Sequence, residues 1–263
     1  MIGLFLGNTD FPKLIINNLK NKKIKYFIID LTNNNKFNKD NNSHHINSGQ
    51  FGKILNLIKE KRCKKVLFAG KIDKPKLSSL RLDFKGLFYL PRIVSAFKLG
   101  DAAILKELIK ILAEHKIKVI SSNFFNPELT LKRGNFTKLK PNNNELKQIK
   151  KGIISLSKLN AHNHVQGLII NGNDVVAKES MYGTKKMLLS LKKLKDSNFI
   201  LIKFPKKKQD LRADLPTIGI DTLIDCKKAS IKGVVMKSKQ NIFLDKNECI
   251  NFANKHKIFI TIK

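Results

Sequence analysis

The sequence is poor in acid. Asp and Glu number 20 against 52 Lys and Arg, which gives a formal charge of +32. It is also poor in cysteine. Cys63, Cys226 and Cys249 lie far apart and form no CxxC pair, so neither a zinc ribbon nor a disulfide framework is supported, and a reducing compartment is expected. No apolar run approaches the roughly 18 residues that span a bilayer. The opening, Met1-Ile2-Gly3-Leu4-Phe5-Leu6-Gly7, lacks a basic start and a small-residue cleavage site, so a secretory signal is not expected. These absences predict a soluble, cytoplasmic protein.

With 263 residues, 42% of them hydrophobic, the chain can fold as one large domain or two modest ones. The positive charge admits three classes of partner: nucleic acid, an anionic membrane surface or an acidic substrate. Lysine is dispersed along the chain rather than gathered in one arm, and Asn and Ile are heavily used too. Much of the charge therefore reads as compositional background. Its field still attracts anions over a Debye length of about 8 Å.

Ile2 to Leu6 predicts a strand, ending in the turn Gly7-Asn8-Thr9-Asp10, and Phe11, Leu14, Ile15 and Leu19 then recur at helical spacing. Strand, tight turn and helix is how a nucleotide-binding α/β domain opens, although a single glycine is not a dinucleotide fingerprint. Tyr26 to Leu31 predicts a second strand. Thr32 to Asn47, which contains His44-His45, reads as a polar loop. Phe51, Ile54, Leu55 and Ile58 mark a helix, and Val66 to Ala69 a strand closed by Gly70. Such a glycine at a strand's carboxyl end is either a plain turn or a ligand contact. Two helices follow, separated at Gly100-Asp101 with Asp101 as N-cap, and then a strand from Lys118 to Ser121. The alternation predicts a Rossmann-like domain over 1–122 with a mostly parallel sheet. Pro127, Gly134, Pro141 and three successive asparagines mark a linker over 123–141. A C-terminal α/β domain is expected over 142–263. It opens with a helix from Glu145 to Leu159 and a hairpin around Asn171-Gly172-Asn173. His162 and His164 would share one face of a strand, a conceivable metal pair with no third ligand at useful spacing. Gly183-Thr184 opens a helix, which is either an ordinary cap or a phosphate seat.

The most informative stretch joins the apolar run Phe199 to Ile202 to a helix predicted over Thr217 to Cys226. Between them, Lys203, Lys206, Lys207, Lys208 and Arg212 surround Asp210 and Asp214, and Pro205 and Pro216 stiffen the ends. Lysine runs are usually solvated surface. Here the turn Leu215-Pro216-Thr217-Ile218-Gly219 would fix Asp214 in place. A rigid loop of mixed charge suits an anionic ligand: cations neutralise phosphate, and a carboxylate holds a metal or a water.

This stretch resembles the signature of the two-domain UDP-2,3-diacylglucosamine pyrophosphatases of lipid A synthesis, which are unrelated to the calcineurin-like phosphoesterases. The matching positions are Lys203, Pro205, Lys206, Gln209, Asp210, Arg212, Asp214, Leu215 and Pro216. Further matches are Phe51-Gly52-Lys53, Phe68-Ala69-Gly70, Lys74-Pro75, Gly100-Asp101 and Gln166. The resemblance implies Mg²⁺-assisted hydrolysis of a nucleotide-lipid to UMP and 2,3-diacylglucosamine 1-phosphate. It implies Asp214 as the catalytic and metal-binding carboxylate. It also implies substrate contacts from Gly7, Gly70, Gln166, Thr184, Lys203, Lys206, Gln209, Asp210 and Arg212. A cytoplasmic protein, peripheral at an anionic inner membrane and able to pair as a homodimer, is the setting that the resemblance implies. The chain departs from the family at Asn8-Thr9, where glycines are usual, at Val165 in place of glycine, and at Tyr182 and Lys185 in place of acids. These departures motivate one rival, a member that binds the nucleotide-lipid with little hydrolysis. The charge alone motivates another, a basic nucleic-acid-binding protein. The sequence contains no nucleic-acid-binding motif, so no specific nucleic acid is expected.

Overall fold

The computed structural model describes residues 1–72, 80–163, 165–180, 182–191, 198–207 and 209–263. Lys74-Pro75, His164 and Lys208 lie outside the described residues. Two compact units emerge, one of Met1–Pro127 with Asp210–Asp214, the other of Glu128–Gln209 with Leu215–Lys263.

The first unit is a parallel sheet of β1 (Ile2–Leu6), β2 (Tyr26–Asp30), β3 (Ser43–His45), β4 (Lys65–Ala69) and β5 (Lys118–Val119). The strand order is β3-β2-β1-β4-β5, every pair parallel. This is the Rossmann-like arrangement, with its topological switch between β1 and β4. Both strands are apolar on both faces because helices cover them. These are α1 (Phe11–Asn21), α2 (Phe51–Glu60), α3 (Phe84–Lys98) and α4 (Asp101–Glu114). Phe5, Phe27, Ile54, Ile58, Phe68, Ile111 and Leu112 join one core. The polar stretch read as a loop contains β3, whose Ser43 to His45 align with Ile28 to Asp30. The ring of His45 bonds the Thr32 carbonyl (2.8 Å). The cap of α4 is Gly100, at φ +98°, with Asp101 inside the first turn rather than at the cap.

Asp83 ties two helices together. Its carboxylate accepts the N–H groups of Gly86 in α3 (2.8 Å) and of Gly52 and Lys53 in α2 (both 3.0 Å). A Cβ on Gly52 would lie 2.9 Å from that carboxylate, which gives the Phe51-Gly52-Lys53 match a packing reason. Burial raises the Asp83 pKa, but the three N–H donors and Lys53 more than offset it, and the group stays ionised below the usual carboxylate range. Its stabilisation is therefore fully present above the ordinary pKa near 4 and is lost as pH falls through the lowered value. Asp83→Ala is expected to cost about 2 kcal/mol in urea unfolding at pH 7. The difference from wild type should shrink in acid. An equal cost at pH 7 and at pH 2 would contradict this account.

The second unit has a mixed six-stranded sheet of order β6-β13-β11-β9-β7-β8. Its strands are β6 (Gly134–Asn135), β7 (Gly167–Asn171), β8 (Asp174–Lys178), β9 (Phe199–Lys203), β11 (Ile231–Met236) and β13 (Phe259–Ile262). A parallel pair stands apart, β10 (Thr217–Ile218) with β12 (Ile242–Phe243). The helices are α5 (Asn143–Asn163), α6 (Gly183–Ser190), α7 (Ile220–Lys228) and α8 (Lys246–Lys255). Strands β9, β11 and β13 run parallel, while β6 and the hairpin β7–β8 add antiparallel edges. One side of the sheet packs Ile169, Leu201, Val234 and Ile260 on Leu188, Leu223 and Cys249. The other packs Leu168, Ile170, Ile202 and Phe259 against Ile149 and Leu156 of α5. Three expectations shift here. Helix α5 continues through His162, so that histidine is not on a strand. Thr217 and Ile218 form β10, so α7 begins only at Ile220. The cap of α6 is Tyr182, with Thr184 in the first turn. Among the described residues no helix is long and apolar enough to cross a membrane.

Candidate functional site

Strand β9 is the anchor. Phe199 to Ile202 are fully buried, and the strand ends at Lys203, itself buried. An ammonium at the end of an apolar strand needs fixed partners. Two come from the stretch that leads into α6. Lys203 Nζ donates to Thr184 Oγ1 and lies 3.5 Å from Glu179 Oε1. Thr184 Oγ1 in turn donates to Glu179 Oε1 at 3.0 Å. The backbone is held as well: Asn241 donates its amide to the Lys203 carbonyl (3.0 Å) and accepts from the Lys237 N–H (2.9 Å).

After β9 the chain makes a short turn in which the Gln209 N–H donates to the Lys206 carbonyl (3.0 Å). Gln209 Oε1 accepts both the Lys206 N–H (2.8 Å) and Gln166 Nε2 (3.2 Å). These two donors fix the orientation of the Gln209 amide. Its Nε2 is buried and has no hydrogen-bond partner among the described residues. Lys203, Thr184, Gln166, Lys206 and Gln209 thus belong to one unit and one hydrogen-bonded neighbourhood. Glu179 and Asn241 belong to it too, and the sequence reading assigned neither a role. The signal for Glu179 was Lys203: a lysine that closes a buried apolar run demands an acid.

The next five residues associate with the first unit. The N–H groups of Ala213 and Asp214 both donate to the Asp210 carbonyl, at 3.1 and 2.9 Å, which makes a tight turn. The Ala213 methyl packs on the core that contains Phe51 and Ile109. Asp210 and Arg212 form a two-pronged pair, Nε to Oδ1 at 2.9 Å and Nη2 to Oδ2 at 2.6 Å. Arg212 holds the Asp210 carboxyl below its usual range against the opposing effect of burial, and Lys106 adds to it. The same pairing raises the Arg212 pKa. Arg212 also borders a cavity of about 240 Å³ beside Lys116 and Lys118. Asp214 sits half-buried at the end of this turn.

Gly7 and Gly70 close β1 and β4 at the switch point, where open α/β sheets bind ligands. Their chain neighbours already use the space. A Cβ on Gly7 would meet the Lys71 carbonyl at 2.3 Å, and Gly70 takes φ +85° with Pro12 and Gly7 against it. The Gly7 N–H donates to the Ala69 carbonyl (2.9 Å) and the Asn8 N–H to the Lys71 carbonyl (2.7 Å). Both glycines thus have a structural requirement, and these two N–H groups hold the turn together. Among the described residues no three His, Cys, Asp or Glu side chains gather as a metal-binding group.

The chain matches the LpxI N-terminal domain over residues 1–129 and the LpxI C-terminal domain over 132–261. It is similar to the UDP-2,3-diacylglucosamine pyrophosphatase LpxI of Caulobacter vibrioides, 28% identical over 220 residues that cover 81% of this chain and 79% of that protein. With both halves of the fold matched in order, the chain belongs to the LpxI family.

Proposed function

We propose that this chain hydrolyses the pyrophosphate bond of UDP-2,3-diacylglucosamine to UMP and 2,3-diacylglucosamine 1-phosphate. The observation that carries the reading is the buried Lys203 ammonium, braced at the start of the Lys203-to-Pro216 loop in a chain whose relative bears that activity in its name. A diphosphate repels an attacking water until its charge is neutralised, and fixed cations do this without reorganising. We assign phosphate oxygens to Lys203, Lys206 and Arg212, and the support of the Arg212 fork to Asp210. Gln166, Thr184 and Gln209 brace Lys203 and Lys206, and Asp214 orients the water.

Mg²⁺ commonly binds through one or two carboxylates and completes its shell with phosphate and water, so the small acidic set of this loop fits it. Asp210 is paired with Arg212, and we place the metal at Asp214, the carboxylate to which the family signature assigns it. Bound there, Mg²⁺ would supply charge neutralisation at the diphosphate. The +32 charge suits a cytoplasmic protein that works at an anionic membrane surface, where an acylated nucleotide-sugar resides.

The test is release of labelled UMP from UDP-2,3-diacylglucosamine by the purified protein, with Mg²⁺ and with EDTA. We expect turnover with the metal and at least a hundredfold loss without it. Tight substrate binding with no UMP in either condition would replace the enzyme reading by that of a nucleotide-lipid binder. The replacements at Asn8-Thr9, Val165 and Lys185 would then be the first to revert.

A further inference from the structure

Gly167 begins β7 and is the register partner of Lys203 across the antiparallel pair β7–β9. A Cβ built on Gly167 would lie 2.7 Å from Glu179 Oε2. The missing side chain is therefore the space that the Glu179 carboxylate occupies. The Glu179 N–H donates to the Gly167 carbonyl (2.8 Å), which locks the same pair of residues through the backbone. The two carboxylate oxygens have different tasks. Oε1 meets Thr184 and Lys203, while Oε2 is buried against Gly167 with no hydrogen-bond donor among the described residues.

An acceptor that could take two or more donors is thus held with one oxygen unpaired, at a cost that folding alone does not require. Its partner is equally incomplete. The Lys203 ammonium has three protons and, among the described residues, only two side-chain neighbours that accept them, Thr184 and Glu179. Both side chains are only 9% exposed, so bulk water does little for the third proton.

We infer that Glu179, seated in the space left by Gly167, is a positioning residue that holds the Lys203 ammonium with one N–H presented to a phosphate oxygen of the nucleotide diphosphate. This inference rests on the function proposed above. Glu179 itself does not touch the ligand. It restricts the ammonium to one place and, with Thr184, absorbs the other two protons. Preorganisation of this kind matters because a cation displaced by about 1 Å forfeits on the order of a hundredfold in rate.

Two variants disturb the device in different ways. Glu179→Gln keeps the shape and removes the charge. Gly167→Ala keeps the charge and pushes the carboxylate away. Both, with Lys203→Met and wild type, are assayed for UMP release, for UDP affinity by calorimetry and for thermal unfolding, at a temperature where all four are folded. Each of the two variants is expected to lower kcat/KM roughly 10- to 100-fold, mostly in kcat, and to weaken UDP binding at least about threefold. A fall in unfolding temperature with kcat, KM and UDP affinity unchanged would make Glu179 a structural counter-ion only and overturn the inference. Unchanged turnover in Lys203→Met would remove Lys203 from the phosphate site, which overturns the inference and leaves the hydrolysis standing. A wild type that binds UDP without hydrolysis leaves affinity as the deciding measurement, with the same expected direction and the same overturning result. A wild type that neither releases UMP nor binds UDP would overturn both readings.

Discussion

Asp214→Ala is expected to abolish UMP release, a loss of at least about a thousandfold in kcat, from a protein that remains folded. The activity side follows from the proposed role, since removing the one group that orients water or metal costs on the order of 10²–10³ or more. The stability side follows from how the segment is held. The turn is closed by main-chain bonds to the Asp210 carbonyl, and the Ala213 methyl packs on the core of its unit. Beyond the turn, Pro216 is buried and its carbonyl accepts the Ile242 N–H at 2.9 Å. The variant is therefore expected to stay folded, with an unfolding free energy within about 3 kcal/mol of wild type, the ordinary range for a single substitution. Turnover within tenfold of wild type would remove Asp214 from the chemistry, and Asp210 would become the carboxylate to test next.

Gly233→Ala should give the largest loss of stability. Gly233 lies in β11, at the centre of the second sheet, aligned with Phe259 of β13. The Phe259 ring lies across it: an added Cβ would fall 2.0 Å from Cζ and 2.1 Å from Cε2. Phe259 is fully buried, so the ring cannot give way without disturbing the core around it. Overpacking of this severity costs about 3 kcal/mol. Urea unfolding should show it as a shift in midpoint with little change in slope. The double variant Gly233→Ala/Phe259→Leu should recover part of the loss, because it removes the obstructing ring. A single-variant loss below about 1 kcal/mol would mean that the ring moves aside freely.

Much of the first unit was legible because its strands are buried on both faces and read as short apolar runs between helical periods. The sequence does not reveal strand order, and it hides β3, whose Ser-His-His content has no apolar period; backbone pairing at a sheet edge needs none. Helix α5 outran its expected end because Leu156 and Leu159 carry its apolar face and the polar residues beyond simply prolong the helix. Lys203 and Gln209 were recognised as members of one motif, yet the motif does not show that they are buried and braced. Bracing depends on Glu179, 24 residues earlier, and on the absence of a side chain at Gly167. The loop also read as one object, whereas its residues divide between two units after Gln209.

The three thiols bear on how such experiments can be built. Cys63, Cys226 and Cys249 are all buried. Burial pushes the Cys226 thiol far up and the Cys249 thiol to about 12, so neither offers thiolate at neutral pH. Cys63 points its sulfur at the Lys65 carbonyl, 3.1 Å away. A maleimide dye or spin label should therefore pass over the native residues, and a single cysteine engineered on either unit can carry a reporter without first stripping the chain of its own.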